Sequence, residues 1–230
     1  MSDIKKILTF LDGFSKNNNR EWFHENTQVR KQANLAFEGL VGELEHEIMN
    51  FDYTIKFHAP KELTFRQVRD LRFSKDKTPY HPIFRAHIAP AGKLPIPVGY
   101  FICIKPNDGS FVGGGLFTDQ FSEATNQIRD YLSAHPQEFE AIINNDLFKE
   151  NFTVKGTKLK NVPKAYDSDS AIAEYLKYKS WYLEYKITDQ ELLTADNLVN
   201  LLAEKFALMK DFNDFLNKAL VDFKMPERKK

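Results

Sequence analysis

Seven of the ten prolines and six of the ten glycines fall between Tyr53 and Thr118. Proline lacks the backbone N–H that a helix interior needs, and glycine loses the most conformational freedom on ordering, so no long helix runs through this stretch. Long helices are left to the two flanks, and the middle must be built from strands and turns. The β-branched and aromatic runs there predict strands at Ile83–Ala89, Val98–Lys105 and Ser110–Phe117. Pro106-Asn107-Asp108-Gly109 joins the last two with strong hairpin chemistry. Gly113-Gly114-Gly115 interrupts the third strand. Strand glycines mark either a bulge or the close approach of another backbone or a ligand, and a bulge or bend is the expectation here. The run lacks the spacing of a dinucleotide fingerprint or a phosphate-binding loop.

The flanks read differently. Asp3 is placed to cap a helix with Ile4, Ile7, Leu8 and Leu11 on one face, ended by Gly13 and the Asn17-Asn18-Asn19 run. A second helix begins after those asparagines and carries Trp22 and Phe23. From about Thr27 to Met49, Leu35, Leu40, Val41, Leu44 and Ile48 recur at helical spacing. Beyond the strands, Phe121–Leu132, Pro136–Ile143 and Ala171–Lys177 read as helices, Lys155–Lys164 as a basic loop, and Ser180–Ile187 as a fourth strand. Thr188 and Glu191 have capping-box spacing. A closing helix carries Leu198, Leu202, Phe206, Met209, Phe212, Leu216, Leu220 and Phe223, a stripe expected to pack on the rest of the chain. The sum is an α+β fold: a mainly antiparallel sheet flanked by N- and C-terminal helices, in one domain over residues 1–225, followed by a basic tail at 226–230.

The chain has 32 basic and 32 acidic side chains, so no global charge attracts nucleic acid or an anionic membrane. The neutrality is a cancellation. Lys56 to Lys93 holds nine basic residues against three acids, a net +6, and Asp119–Asn151 holds seven acids against two basic residues, a net −5. With 20 Phe, 9 Tyr and 2 Trp, the core is expected to be built on rings. Cys103 is the single cysteine, which excludes an intrachain disulfide and a cysteine-based metal site; within Tyr100–Ile104 it reads as a buried, inert thiol. The longest uncharged run, Leu94–Ile104, holds two prolines and is too short to span a bilayer, and Ile7–Leu11 is too short for a signal peptide. A cytoplasmic protein with no membrane partner is expected.

Within the basic segment, Arg66, Arg69 and Arg72 sit within seven residues, followed by Lys75, Asp76, Lys77, Pro79 and Tyr80. Guanidinium forks match phosphate or carboxylate oxygens bidentately. Asp70 is placed to orient one arginine, Asp76 to hold Lys75 or Lys77, and Tyr80 to offer a hydroxyl. Arg66, Arg69, Asp70, Arg72, Lys77 and Tyr80 are therefore the candidate ligand-binding residues. His81, Arg85 and His87 share parity, so on a strand they face one side. No H-E-x-x-H spacing exists, and cationic neighbours oppose a divalent ion at His81 or His87. No G-x-S-x-G elbow is present, and no motif indicates a cofactor.

The run Arg66-x-x-Arg69-Asp70-x-Arg72-Phe73 followed by Asp76-Lys77-x-x-Tyr80 resembles the hallmark of a widespread, mostly bacterial family known only as a conserved domain of unknown function. Similar stretches are Asn18 to Trp22-Phe23, Gly113–Gly115, Pro163-Lys164-Ala165-Tyr166 and Tyr175–Ser180, so the resemblance spans nearly the whole chain. Ala165 stands where the family pattern has glycine. The resemblance implies a single-domain cytoplasmic protein and assigns no activity, cofactor or catalytic residue. Three functional readings follow from the residues: a site for a small anionic ligand, phosphorylated or carboxylated; a nucleic-acid-binding surface using Lys56–Lys93, Lys155–Lys164 and the basic tail; or an Arg/Asp network that only braces the fold.

Overall fold

The structure, a computed structural model, describes residues 3–72 and 74–226. Phe73 and residues 227–230 of the basic tail, both singled out in the sequence, lie outside the described residues. Helix α1 (Asp3–Lys16) buries Ile7, Leu8, Phe10, Leu11 and Phe14 on one face. It runs through Gly13, where the sequence predicts a stop. A Cβ at Gly13 would lie 3.2 Å from the Trp22 ring, so this glycine serves packing and the helix ends at the asparagines instead. Asn19 caps α2 (Arg20–Glu25) by accepting the Trp22 N–H at 2.9 Å. Helix α3 (Thr27–Met49) buries Ala33, Phe37, Val41, Leu44 and Ile48. Leu35, expected on that stripe, is 67% exposed. Phe37 takes its place on the buried face.

After the short helix α4 (Pro60–Leu63), strands β1 (Phe84–Ile88), β2 (Gly99–Ile104), β3 (Ser110–Leu116) and β4 (Trp181–Ile187) form one sheet in the order β1-β2-β3-β4, every pair antiparallel. The β2–β3 turn places Asn107 and Asp108 at φ 62° and 57°, the left-handed region these residues tolerate. The β3–β4 connection carries α5 (Ser122–Ala134), α6 (Pro136–Ile143), α7 (Asp146–Asn151) and α8 (Ala173–Leu176). Helices α9 (Asp189–Thr194), with its capping box at Thr188 and Glu191, and α10 (Leu198–Ala219) close the described chain. No helix among the described residues is long and apolar enough to cross a membrane.

Helix α10 lies across one face of the sheet, burying Leu202, Phe206, Met209, Phe212, Phe215 and Leu216. The glycine run makes this approach possible. Pairing register is unbroken from β2 through β3 to β4 across all three glycines, so the run is no bulge. A Cβ at Gly114 would lie 2.9 Å from Asn213 Oδ1 and 3.2 Å from Met209 Sδ, on the α10 side. One at Gly113 would lie 2.8 Å from the tip of the Phe117 ring, on the opposite side, and closer still to the Leu183 carbonyl. Gly115, at φ +96°, sits against the Trp181 carbonyl and the Phe212 ring. The strand is thin because it is packed from both faces.

Both outer edges of the sheet are covered. Thr64 bridges to Ala86, and Phe65 donates its N–H to the Arg85 carbonyl at 2.9 Å, along β1. Lys155 pairs with Tyr182 along β4. Neither edge is open to strand addition at these positions.

Glycine substitutions test this packing. Gly113→Ala and Gly114→Ala should each destabilise the protein by about 1–3 kcal/mol through overpacking. Gly39→Ala, in the α3 interior where a Cβ meets nothing within 4 Å, should stabilise it by about 1 kcal/mol. Urea-melt midpoints check both signs.

Candidate functional site

The arginine motif forms an irregular hairpin that leaves the β1 edge and returns to it. Val68 bridges to Tyr80, Arg69 N–H donates to the Pro79 carbonyl at 3.0 Å, and His81 N–H donates to the Gln67 carbonyl at 2.7 Å. Within the tip, the Arg69 guanidinium donates to Asp76 and the Thr78 hydroxyl, to the Thr78 carbonyl at 3.2 Å and to Ser74 Oγ at 3.1 Å. Asp76 also accepts the Thr78 N–H at 2.9 Å; that bond first, then Arg69, holds its carboxyl down to about 2. Asp76 was expected on Lys75 or Lys77; it pairs with Arg69, because the hairpin folds residue 69 back over residues 74–78.

Asp70 holds Arg72 as the sequence suggests, accepting from Nε at 3.0 Å and Nη2 at 2.6 Å. The pair is exposed, and Arg72 keeps the Asp70 carboxyl down to about 2. Lys77 Nζ donates to the Leu71 carbonyl at 3.3 Å, and Arg66 is exposed. The Tyr80 ring is buried, stacked on Phe23 at 4.0 Å between centroids and packed on Phe14 at 5.4 Å. Asn18 Nδ2 donates to the Tyr80 carbonyl at 3.0 Å. The six candidate residues therefore divide: Arg69 and Tyr80 fold and anchor the hairpin, while Arg66, Asp70, Arg72 and Lys77 lie at its surface.

The other stretches of the motif pattern meet in the same way. Asn18 and Phe23, sixty residues away in sequence, form the seat of Tyr80. The Tyr175–Ser180 stretch is braced from α5, where buried Arg129 donates from Nε to the Leu176 carbonyl at 3.0 Å and from Nη2 to the Tyr178 carbonyl at 2.8 Å. Thr125 adds a bond to the Lys179 carbonyl at 3.0 Å. Ala165 lies in a turn closed by Tyr166 N–H on the Pro163 carbonyl at 3.0 Å, with no left-handed φ there to call for glycine.

The second surface is the sheet face turned away from α10. Alternation places Arg85 and His87, Phe101 and Cys103, Phe111 and Gly113, and Tyr182, Glu184 and Lys186 on it. Register puts Arg85, Cys103, Phe111 and Lys186 in one cross-strand row, and His87, Phe101, Gly113 and Glu184 in the next. Partly exposed rings link across it: Phe65 to Phe101 at 6.2 Å, Phe101 to Phe111 at 5.8 Å and to Phe117 at 5.1 Å, and Phe117 to Tyr182 at 4.5 Å. The parity of Arg85 and His87 is visible in the sequence; the ring row needs the register of all four strands.

Electrostatics distinguish the polar groups of this face. The Arg85 guanidinium lies over the Phe65 ring at 5.4 Å and, among the described residues, meets no carboxylate and makes no hydrogen bond. Burial lowers its pKa. His81 is pushed down as well, by burial first and then by Arg85 and Arg69. Cys103 is buried and its thiol is pushed up to about 11, chiefly by burial, so it is no nucleophile near neutral pH. Glu184 is held by Lys155 at 2.7 Å. Among the described residues no group of three or more His, Cys, Asp or Glu side chains is placed to hold a metal ion.

His87, 5% exposed, is pushed down to about 4 by burial. Between about pH 6.5 and 4 the unfolded chain takes this proton and the folded chain refuses it, so stability falls as pH falls through that window. The contribution is of order 3 kcal/mol across it. Thermal melts from pH 7 to pH 4 should show this slope, and His87→Gln should flatten it.

No curated protein and no solved structure matches this chain. A family model described as conserved hypothetical protein (DUF2461) matches residues 6–215, a span that takes in the Asn18–Phe23 seat, the arginine hairpin, all four strands and most of α10. The chain belongs to the DUF2461 family of conserved hypothetical proteins.

Proposed function

We propose that this protein binds an anionic ligand, phosphate- or carboxylate-bearing, on the outer face of its sheet. Arg85 is the receiving cation, and the exposed Arg66 and Lys77 of the hairpin add positive charge, while that of Arg72 is met by Asp70. The observation that carries this reading is Arg85 itself: a guanidinium partly withdrawn from water with no carboxylate among the described residues to repay the desolvation. Arg69 is in the opposite situation, its charge already met by Asp76. His81 and the rings of Phe65 and Phe101 stand beside Arg85 and suit the planar or apolar remainder of a ligand.

The bracing reading of the motif applies to different residues of the same hairpin. Arg69 and Asp76 hold its tip, and Tyr80 ties it to α1 and α2. Such a hairpin presents Arg85 without contacting the ligand through Arg69.

A thermal-shift panel of inorganic phosphate, nucleoside monophosphates, sugar phosphates and dicarboxylates tests the reading. At a hundred times its Kd a ligand stabilises by about 2.7 kcal/mol, a rise of several degrees in Tm. At least one anion should give such a rise, and Arg85→Ala should remove it while leaving the unliganded Tm within a few degrees. A panel with no shift, or a shift that survives Arg85→Ala, overturns the assignment.

A further inference from the structure

Arg85 is not the only cation of its row. Lys186 stands at the far end, paired in register with Phe111, as Arg85 is paired with Cys103. Lys186 is exposed and, like Arg85, forms no ion pair among the described residues. Three strand spacings separate the two, about 14 Å. Between them lie Phe111 and, one row over, Phe101, their ring planes 25° apart and both partly exposed. The acid of the face, Glu184, is offset by Lys155, so its net charge is positive. A single phosphate or carboxylate cannot reach both ends of this row. The occupant that fits has repeated anionic groups with flat rings between them.

We infer that the outer face binds single-stranded nucleic acid, with backbone phosphates at Arg85 and Lys186 and bases against Phe101 and Phe111. This rests on the proposed anion site at Arg85 and names its ligand class. The span of about 14 Å corresponds to about two nucleotide steps of an extended strand, and ring stacking of this kind tolerates any base. The exposed Arg66, next to the segment paired along β1, adds positive charge beyond that edge. Bases locked in a duplex cannot reach the rings, so the paired form should bind weakly.

Fluorescence anisotropy with 5′-labelled oligouridylates of two, four and eight nucleotides, with unlabelled uridine monophosphate as competitor, tests this on the full chain. The octamer should bind at least about tenfold tighter than the monophosphate, and its affinity should fall with salt at a log–log slope of about −1.4 or steeper, as for two or more phosphates. Lys186→Ala and Arg85→Ala should each reduce that slope by about 0.7. Phe111→Ala should cost about tenfold in affinity. Lys186 is exposed, so its variant should keep the parent Tm and separates lost binding from lost folding. If the monophosphate binds through Arg85 as tightly as the octamer, the anion site stands and the nucleic-acid inference is overturned. If length raises affinity but Lys186→Ala changes nothing, the bridging geometry is wrong. If neither probe binds, the nucleic-acid inference is overturned, while the anion site stands or falls separately on the phosphate and dicarboxylate panel.

Discussion

Helix α10 can lie close against strand β3 because Gly114 and Gly115 have no side chains. Asn213 and Met209 occupy the space a Cβ on Gly114 would need, and Phe212 does so at Gly115. Helix α10 packs on β3 and α3 on β1. On the outer face Phe65 and Phe117, from the segments flanking the strands, pack on its rings, and His87 and Cys103 are buried beneath this layer. Gly113 contributes there too, giving the Phe117 ring a seat flat enough to reach Tyr182 on the next strand. The same three residues close one face and shape the other.

What the outer face presents then depends on charge accounting along β1. Within the basic segment the arginine motif is a hairpin whose cation–carboxylate contacts are internal. Arg69 is saturated by Asp76, Thr78 and Ser74 and has only 16% of its side chain exposed. Arg72 is matched by Asp70 in full contact with water, where such a pair adds little to stability. Among the described residues Arg85 has no such partner, and it is partly withdrawn from water. Burial, then Arg85 and Arg69, pushes the His81 pKa down, which disfavours a further positive charge there. A cation partly withdrawn from water with no carboxylate partner among the described residues is costly for the folded chain, and in the proposed reading an anionic ligand offsets that cost.

The strands, the Asn19 cap and the capping box at Thr188 were legible because alternation, β-branching and cap chemistry are local. The glycine run was legible as a special position but not as to kind: whether Gly113–Gly115 meant a bulge or a close approach depended on α10, nearly a hundred residues later. Gly13 read as a helix stop because the Trp22 ring that fills its space belongs to another helix. Leu35 matched the helical period yet points to solvent, since one apolar residue more or less does not fix the angle of the buried stripe; Phe37 does. Of the candidate site, Asp70 with Arg72 lay within local reach. Arg69 with Asp76, and Tyr80 on Phe23, required the hairpin path, and the row from Arg85 to Lys186 required the register of every strand.

The central claim is that the outer sheet face, through Arg85, receives the ligand. The most direct measurement is NMR of the protein labelled with 15N at arginine and 13C at phenylalanine, titrated with uridine monophosphate and with the octamer. The account predicts that the Arg85 Nε–Hε signal and the Phe101 and Phe111 ring signals move together, with Arg69 unmoved. Shifts confined to residues of α3, α9 or α10, or an Arg85 signal indifferent to both ligands, would contradict it.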